Sequence, residues 1–219
     1  MTMTTPIELY DIGRTTHRAV PGMYEFIVEH ARDYVSDGGL AQRLVDEARM
    51  REQPGYSIAQ QYFYEMCRIW VEAQRTGAFP IHPEQIMFGD VVPRFRKVHD
   101  AGRRVGVLTS ASHAFTQLLF HVPVDEKTLA DFVDEYCLGE EIGDKDHPDT
   151  FSRLWERTEG GIYAVFDDKL SVCRAAVAGI TQAGGTAQVY LVDRKNKHPS
   201  VDNGILRITS FAEVGECPG

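Results

Sequence analysis

Short apolar runs, each long enough for one buried strand, recur along the chain with helical patterns between them, and this alternation constrains the fold more than any other feature. The runs are Ile7 to Tyr10, Arg104 to Leu108, Phe132 to Tyr136, Ile162 to Phe166, Ala187 to Val192 and, more weakly, Ile205 to Ile208. Val91 to Ala101 reads as a helix stopped at Asp100-Ala101-Gly102, directly before a buried strand, which makes one αβ unit. Helical patterns follow at Ser112 to Phe120, Pro148 to Arg157 and Ser171 to Thr181, the last closing on Ala183-Gly184-Gly185. Alternation of this kind predicts an α/β fold, a doubly wound parallel sheet covered on both faces.

The stretch between the first strand and Val91 breaks the pattern. It holds helical stripes in succession: Met23, Phe26, Ile27, Ala31, Tyr34 and Val35; then Leu40, Leu44, Val45 and Ala48; then Ile58, Tyr62, Phe63, Met66, Ile69 and Trp70. Pro54-Gly55 and Pro80 punctuate them. We expect residues 18–87 to form an inserted all-helical unit that packs as a lid, with residues 1–17 and 88–219 forming the sheet domain. The aromatic stripe Tyr56, Tyr62, Phe63, Tyr64 and Trp70 is expected to be core of the insertion.

At 219 residues, with 43% apolar and 25% charged residues, the chain suits one globular domain with a modest insertion. The 23 basic residues against 32 acidic ones leave a net charge of −9, which argues against nucleic acid as a partner. No apolar run reaches membrane-spanning length, and Met1-Thr2-Met3-Thr4-Thr5-Pro6 lacks the basic and apolar regions of a signal peptide. A cytoplasmic protein with no membrane partner is expected. Cys67, Cys137, Cys173 and Cys217 are too scattered for a metal knuckle and are expected to be reduced, structural thiols.

In open α/β sheets ligands bind at the carboxyl ends of the strands. Asp11 follows the first strand, Thr109-Ser110 the second, and Asp167-Asp168 the run Ile162 to Phe166, while Lys145 lies in the loop Gly143-Asp144-Lys145-Asp146-His147. Carboxylates, hydroxyls and one ammonium are thus predicted to converge. No G-x-S-x-G elbow surrounds Ser110 or Ser112, and His113, His121 and His147 lack metal-ligand spacing.

In order and context these residues resemble the haloacid dehalogenase-like (HAD) hydrolase superfamily. Asp11-Ile12-Gly13-Arg14-Thr15-Thr16 is similar to its first motif and Thr109-Ser110 to its second. Lys145-Asp146-His147-Pro148-Asp149-Thr150-Phe151 is similar to its lysine motif, and Phe166-Asp167-Asp168 through Gly179 to its acidic motif. The likeness spans roughly Ile7 to Val192, and the insertion resembles that family's helical cap on a Rossmann-like core. Among the branches, the enolase-phosphatase type is nearest in look, through Asp11-Ile12-Gly13-Arg14-Thr15-Thr16 and the segment Val98 to Phe120.

The resemblance implies a magnesium-dependent hydrolase of a small phosphorylated metabolite. Asp11 would be the nucleophile that forms an aspartyl-phosphate, and Asp11, the Gly13 carbonyl and Asp167 or Asp168 would hold magnesium. Lys145, Thr109 and Ser110 would grip phosphate, and Arg14 could clamp an anion or serve only as a surface ion-pair partner. Lys145 would also offset the crowding of the carboxylates. The first motif departs from the family pattern, because Gly13 stands where its phosphatases carry an acid and Arg14 where they carry a glycine. Either the leaving group needs no proton, or His17, Glu25 or His30 supplies one, or catalysis is lost or different. The alternatives are a dehalogenase or phosphonatase-like hydrolase, or a catalytically silent protein that binds a ligand or partner. A homodimer is also compatible with the sequence.

Overall fold

The computed structural model describes residues 4–51, 53, 56, 58–79, 81–198 and 204–215, so Pro54, Gly55, Pro80 and Cys217 lie outside the described residues. Its main sheet is parallel throughout and comprises β1 (Ile7–Tyr10), β2 (Arg104–Thr109), β5 (Glu135–Leu138), β6 (Ile162–Asp167), β7 (Gln188–Val192) and β8 (Ile205–Ile208), in the order β5-β2-β1-β6-β7-β8. A small antiparallel pair, β3 (Pro123–Val124) and β4 (Lys127–Thr128), stands apart. The helices are α1 (Met23–Tyr34), α2 (Gly38–Met50), α3 (Gln60–Thr76), α4 (Pro83–Ile86), α5 (Val91–Asp100), α6 (His113–Phe120), α7 (Gly139–Ile142), α8 (Pro148–Arg157) and α9 (Leu170–Gln182). The expected doubly wound parallel sheet is therefore present. None of the described helices is long and apolar enough to cross a membrane.

β1 is central because every residue in it is buried, and a strand covered on both faces must be flanked by strands on both edges. Ile7 and Leu9 enter a core with Leu108, Phe151, Val165, Val172 and Leu191. Tyr10 and Glu8 have the opposite parity. Tyr10, Phe166 and Tyr190 are direct cross-strand partners, and their rings stack at 4.5 and 4.6 Å with interplanar angles of 1° and 4°. Phe211 meets both Tyr10 and Phe166 edge-on. Aromatic pairs of this kind contribute about 0.5–1.5 kcal/mol each beyond burial, and here they lock the register of β1 against β6 one residue before Asp11 and Asp167. Glu8, fully buried, is neutralised by Arg94 at 2.6 Å and Arg103 at 3.3 Å.

One strand lies elsewhere than the sequence suggests. The sequence predicts a strand over Phe132 to Tyr136, whereas β5 covers Glu135–Leu138. The preceding Leu129–Phe132 is a 3₁₀ turn closed by a reciprocal capping box between Thr128 and Asp131. The Asp134 side chain then accepts from the Val105 N–H at 2.7 Å, so extended pairing begins only after it.

By internal contacts the chain divides into two compact units, one of Met1–Ala19, Glu84–Ser110 and His121–Gly219, the other of Val20–Pro83 and Ala111–Phe120. In the first, α8 and α9 pack closely because Gly179 has no side chain: a β-carbon there would lie 2.0 Å from the Pro148 carbonyl oxygen. Ser152 donates to the Gly179 carbonyl at 2.8 Å across the same contact, which fixes the start of α8 and the loop before it. The two chain crossings to the other unit run antiparallel side by side. Arg18 N–H donates to the Ile86 carbonyl at 2.7 Å, Phe88 N–H to the Thr16 carbonyl at 3.0 Å, and His17 bridges Met87.

In the second unit the apolar stripes of α1, α2 and α3 turn inward as read, with Phe26, Ile27, Leu44, Met66, Ile69 and Trp70 buried. The Trp70 indole donates to the Met23 carbonyl at 2.8 Å and packs on Phe115 of α6 at 5.3 Å. Of the aromatic stripe expected as core, only Trp70 is fully buried. Tyr62, Phe63 and Tyr64 are partly exposed, since three consecutive residues sweep most of a helical turn.

Candidate active site

Asp11 is set by the ladder it extends, its N–H donating to the Phe166 carbonyl at 2.9 Å. The chain then turns tightly. The N–H groups of Thr16 and His17 both donate to the Ile12 carbonyl, at 3.1 and 2.9 Å, and the Arg14 N–H donates to the His17 carbonyl at 2.6 Å. Closing this turn puts Arg14 in the left-handed region at φ 61°, a conformation that glycine adopts freely and a side chain resists. Gly13 does not share it. A β-carbon at Gly13 would face the cluster, 3.9 Å from Asp11 Oδ2, with space around it.

Lys145 comes from the loop between α7 and α8. Its acidic neighbours shape that loop: Asp146 N–H donates to the Asp144 carboxylate at 3.0 Å and the Thr150 hydroxyl to the Asp144 carbonyl at 2.6 Å, while His147 Nδ1 accepts from the Asp149 N–H at 3.3 Å to cap α8. The Lys145 side chain is only 5% exposed. Its ammonium donates to Asp11 Oδ1, to Asp167 Oδ2 at 2.9 Å and to the Leu108 carbonyl at 3.4 Å. Thr109, buried, and Ser110, half-buried, come next after Leu108 at the end of β2. Asp167 ends β6, and its second oxygen accepts from the Lys169 N–H at 2.9 Å.

Carboxylate oxygens of Asp11, Asp167 and Asp168 lie within 4.8 Å of one another. Burial first, and then the neighbouring carboxylates, push Asp11 up to about 7 against the pull of Lys145. Burial followed by Asp167 raises Asp168 to about 6, opposed by Arg14 and Lys145. For Lys145, burial acts to lower the value, but Asp11 and Asp167 outweigh it and hold the ammonium firmly protonated. A compact set of hard oxygens, more crowded with negative charge than its cations neutralise, fits a hard divalent ion such as magnesium. The nearby Cys173 thiol is driven far upward by burial and by these carboxylates and offers no thiolate to a softer metal.

Arg14 approaches Asp168 Oδ2 at 3.8 Å with its side chain 56% exposed. Of the substitute acids considered from sequence, His17 is buried beside the turn with Nδ1 3.0 Å from the Thr16 hydroxyl. Glu25 and His30 lie on α1 of the helical unit, where His30 pairs with Asp33 at 3.1 Å.

Sequence reasoning passed over a second group that bears on the Asp11 turn. Arg194, just past β7, donates to the Asp90 carboxylate at 2.6 Å and to the Thr15 carbonyl at 2.8 Å, and stacks over Phe88 at 4.1 Å. The same Asp90 oxygen accepts from the Ser210 hydroxyl at 2.7 Å and the Phe211 N–H at 2.8 Å. Burial acts to raise the Asp90 carboxyl, but the bonds from Arg194, Ser210 and Phe211 outweigh it and hold the group below its ordinary value. The strand-end rule that singled out Asp11 and Asp167 also reaches Asp193-Arg194, directly after Val192.

No family model matches the chain. An enolase-phosphatase E1 of Schizosaccharomyces japonicus is 27% identical over 143 residues, a match covering 65% of this chain and 61% of that protein, so the likeness spans about three-fifths of the relative's length. Among solved structures, a HAD phosphatase from Thermococcus onnurineus superposes with a TM-score of 0.58 at 19% identity, covering 95% of each chain. CbbY from Rhodobacter sphaeroides in complex with phosphate gives 0.60 at 19% identity, covering 96% of each. Sheet order and these likenesses show that the chain shares its fold with the HAD phosphatase and CbbY structures.

Proposed function

We propose that the chain is a magnesium-dependent phosphohydrolase acting on a small phosphorylated metabolite through Asp11. The observation that carries this reading is the Lys145 ammonium joined to both Asp11 and Asp167 inside the carboxylate trio. Phosphoryl transfer is governed mainly by positioning and electrostatics, and this arrangement supplies both. In the proposed reaction an Asp11 oxygen forms a bond to phosphorus as the ester P–O bond breaks, and the leaving oxygen departs with the electron pair. Water then attacks the aspartyl-phosphate, releases inorganic phosphate and restores the Asp11 carboxylate. Lys145, with Thr109 and Ser110, orients the phosphoryl oxygens and balances their charge. Magnesium, held by Asp11, the Gly13 carbonyl and Asp167 or Asp168, would supply further charge neutralisation to the phosphoryl group.

Gly13 offers no proton to the leaving group, and Arg14, always charged, cannot serve as an acid. The preferred substrates are therefore esters whose leaving oxygen is stable as an anion. The Gly13–Arg14 pair, with Arg14 directed at Asp168, also supports a second reading, a protein that binds a phosphorylated ligand without turning it over.

Purified protein with magnesium is tested against alkyl phosphates and an activated aryl phosphate, beside Asp11→Asn. The first reading expects aryl phosphate hydrolysis, alkyl esters slower by about 10² to 10⁴, and no turnover in the variant. Turnover that survives Asp11→Asn rejects Asp11 as nucleophile, and phosphate binding without turnover of any ester selects the second reading.

A further inference from the structure

We propose that Arg194 is a positioning residue for the turn that carries Asp11, Gly13 and Arg14, acting through the carbonyl of Thr15. This rests on the reading of Asp11 as the nucleophile.

The turn has two ends. At one, Asp11 is fixed by its N–H bond to Phe166 in β6. At the other, the peptide between Thr15 and Thr16 must be held for the Ile12 carbonyl to receive the N–H groups of both Thr16 and His17. Between the ends sit Gly13, which has no side chain of its own, and Arg14, whose left-handed backbone favours relaxation away from the observed shape. Arg194 secures the second end. One guanidinium nitrogen holds the Thr15 carbonyl and another holds Asp90, while the guanidinium carbon lies over the Phe88 and Phe211 rings at 4.1 and 4.7 Å. Asp90 is itself immobilised by Ser210 and the Phe211 N–H, so the clamp is referred to α5 and to the C-terminal side of β8 rather than to another loop. A planar fork donating in two directions is needed, and a lysine ammonium in the same place can serve Asp90 without reaching both partners in that geometry.

The test uses Arg194→Lys, Arg194→Ala and, as a control, Arg207→Lys, which alters a second arginine–aspartate pair, Arg207 to Asp193 at 3.2 Å. Aryl phosphate turnover is measured per folded molecule, and amide hydrogen exchange is followed at Thr16, His17 and the residues of β6. We expect folded Arg194→Lys to lose about 10- to 100-fold in turnover, since small displacements of a reacting group cost rates of that order. Exchange at Thr16 and His17 should quicken by about tenfold with β6 unchanged. Millimolar guanidinium should restore part of the turnover of Arg194→Ala, and Arg207→Lys should move none of these quantities. Unchanged exchange at Thr16 and His17 in folded Arg194→Lys overturns the proposal, as does turnover that falls only in step with the folded fraction. Should the native protein hydrolyse no phosphate ester while the exchange change is present, the clamp stands and the phosphohydrolase reading fails.

Discussion

Replacing Lys145 by methionine removes the cation bonded to both Asp11 and Asp167 while keeping much of the side-chain volume. The three side chains are 5%, 11% and 1% exposed, so water cannot fully take over the lysine's role. Breaking a buried pair from one side costs about 3–5 kcal/mol, and that loss is expected when the carboxylates are ionised. Its pH dependence follows from Asp11. In the native protein this group is held up to about 7, so its contribution to stability is present in acid and is lost as pH rises through about 7. Without Lys145 the folded variant keeps the proton to higher pH. Above pH 7 it carries a proton that the native fold has released, and each pH unit widens the stability gap by about 1.4 kcal/mol. Between pH 7 and 8.5 the gap should therefore grow by about 2 kcal/mol. Urea denaturation of both proteins with a chelator present, at pH 6, 7 and 8.5, reads this directly, and excess magnesium at pH 8.5 should narrow the gap. A gap of constant size over the range would refute the claim that Lys145 governs the ionisation of Asp11.

Magnesium binding should release about one proton per ion near pH 6–6.5 and almost none at pH 8.5, because Asp11 and Asp168 sit at about 7 and about 6 before the ion arrives; calorimetry in buffers of different ionisation enthalpy measures it. Gly13→Asp should raise alkyl phosphate turnover by about 10² to 10⁴, since a β-carbon at that position meets only ordinary contact with Asp11; unchanged turnover in a folded variant would show that a proton donor was not what the turn lacked. Arg14→Gly should melt higher than Arg14→Ala, by an amount corresponding to about 1 kcal/mol, because both lose the guanidinium but only glycine accepts φ 61° without strain.

Much of the sheet is legible in the sequence because its central strands are buried on both faces and so appear as unbroken apolar runs, as in Val105 to Leu108 and Ile162 to Phe166. α8 is read to its residue limits, with Pro148 at its first turn. Where the reading slips, another local force has intervened. The Thr128–Asp131 capping box claims Phe132 for a turn, and β3 and β4 are too short to show any period. The convergence of Asp11 and Asp167 follows from placing polar residues at strand ends, whereas Lys145 reaches them from the loop between α7 and α8. The Arg194–Asp90–Thr15 junction draws on positions 179 residues apart at the extreme and leaves no local pattern. The left-handed backbone of Arg14 is equally silent in a single sequence, because nothing about an arginine signals the conformation that a neighbouring turn imposes on it.

The paired crossings at Thr16–Arg18 and Ile86–Phe88 give the chain the logic of a hairpin whose loop has been enlarged into a folded body. Since both strands of that neck are already zipped together, the entropic cost of the intervening segment Val20–Pro83 rises only logarithmically with its length. The Asp11 carboxylate beside the neck is thereby insulated from whatever is spliced between its arms. Replacement loops of very different size and composition can be grafted there while the turn that carries Asp11 keeps its alignment.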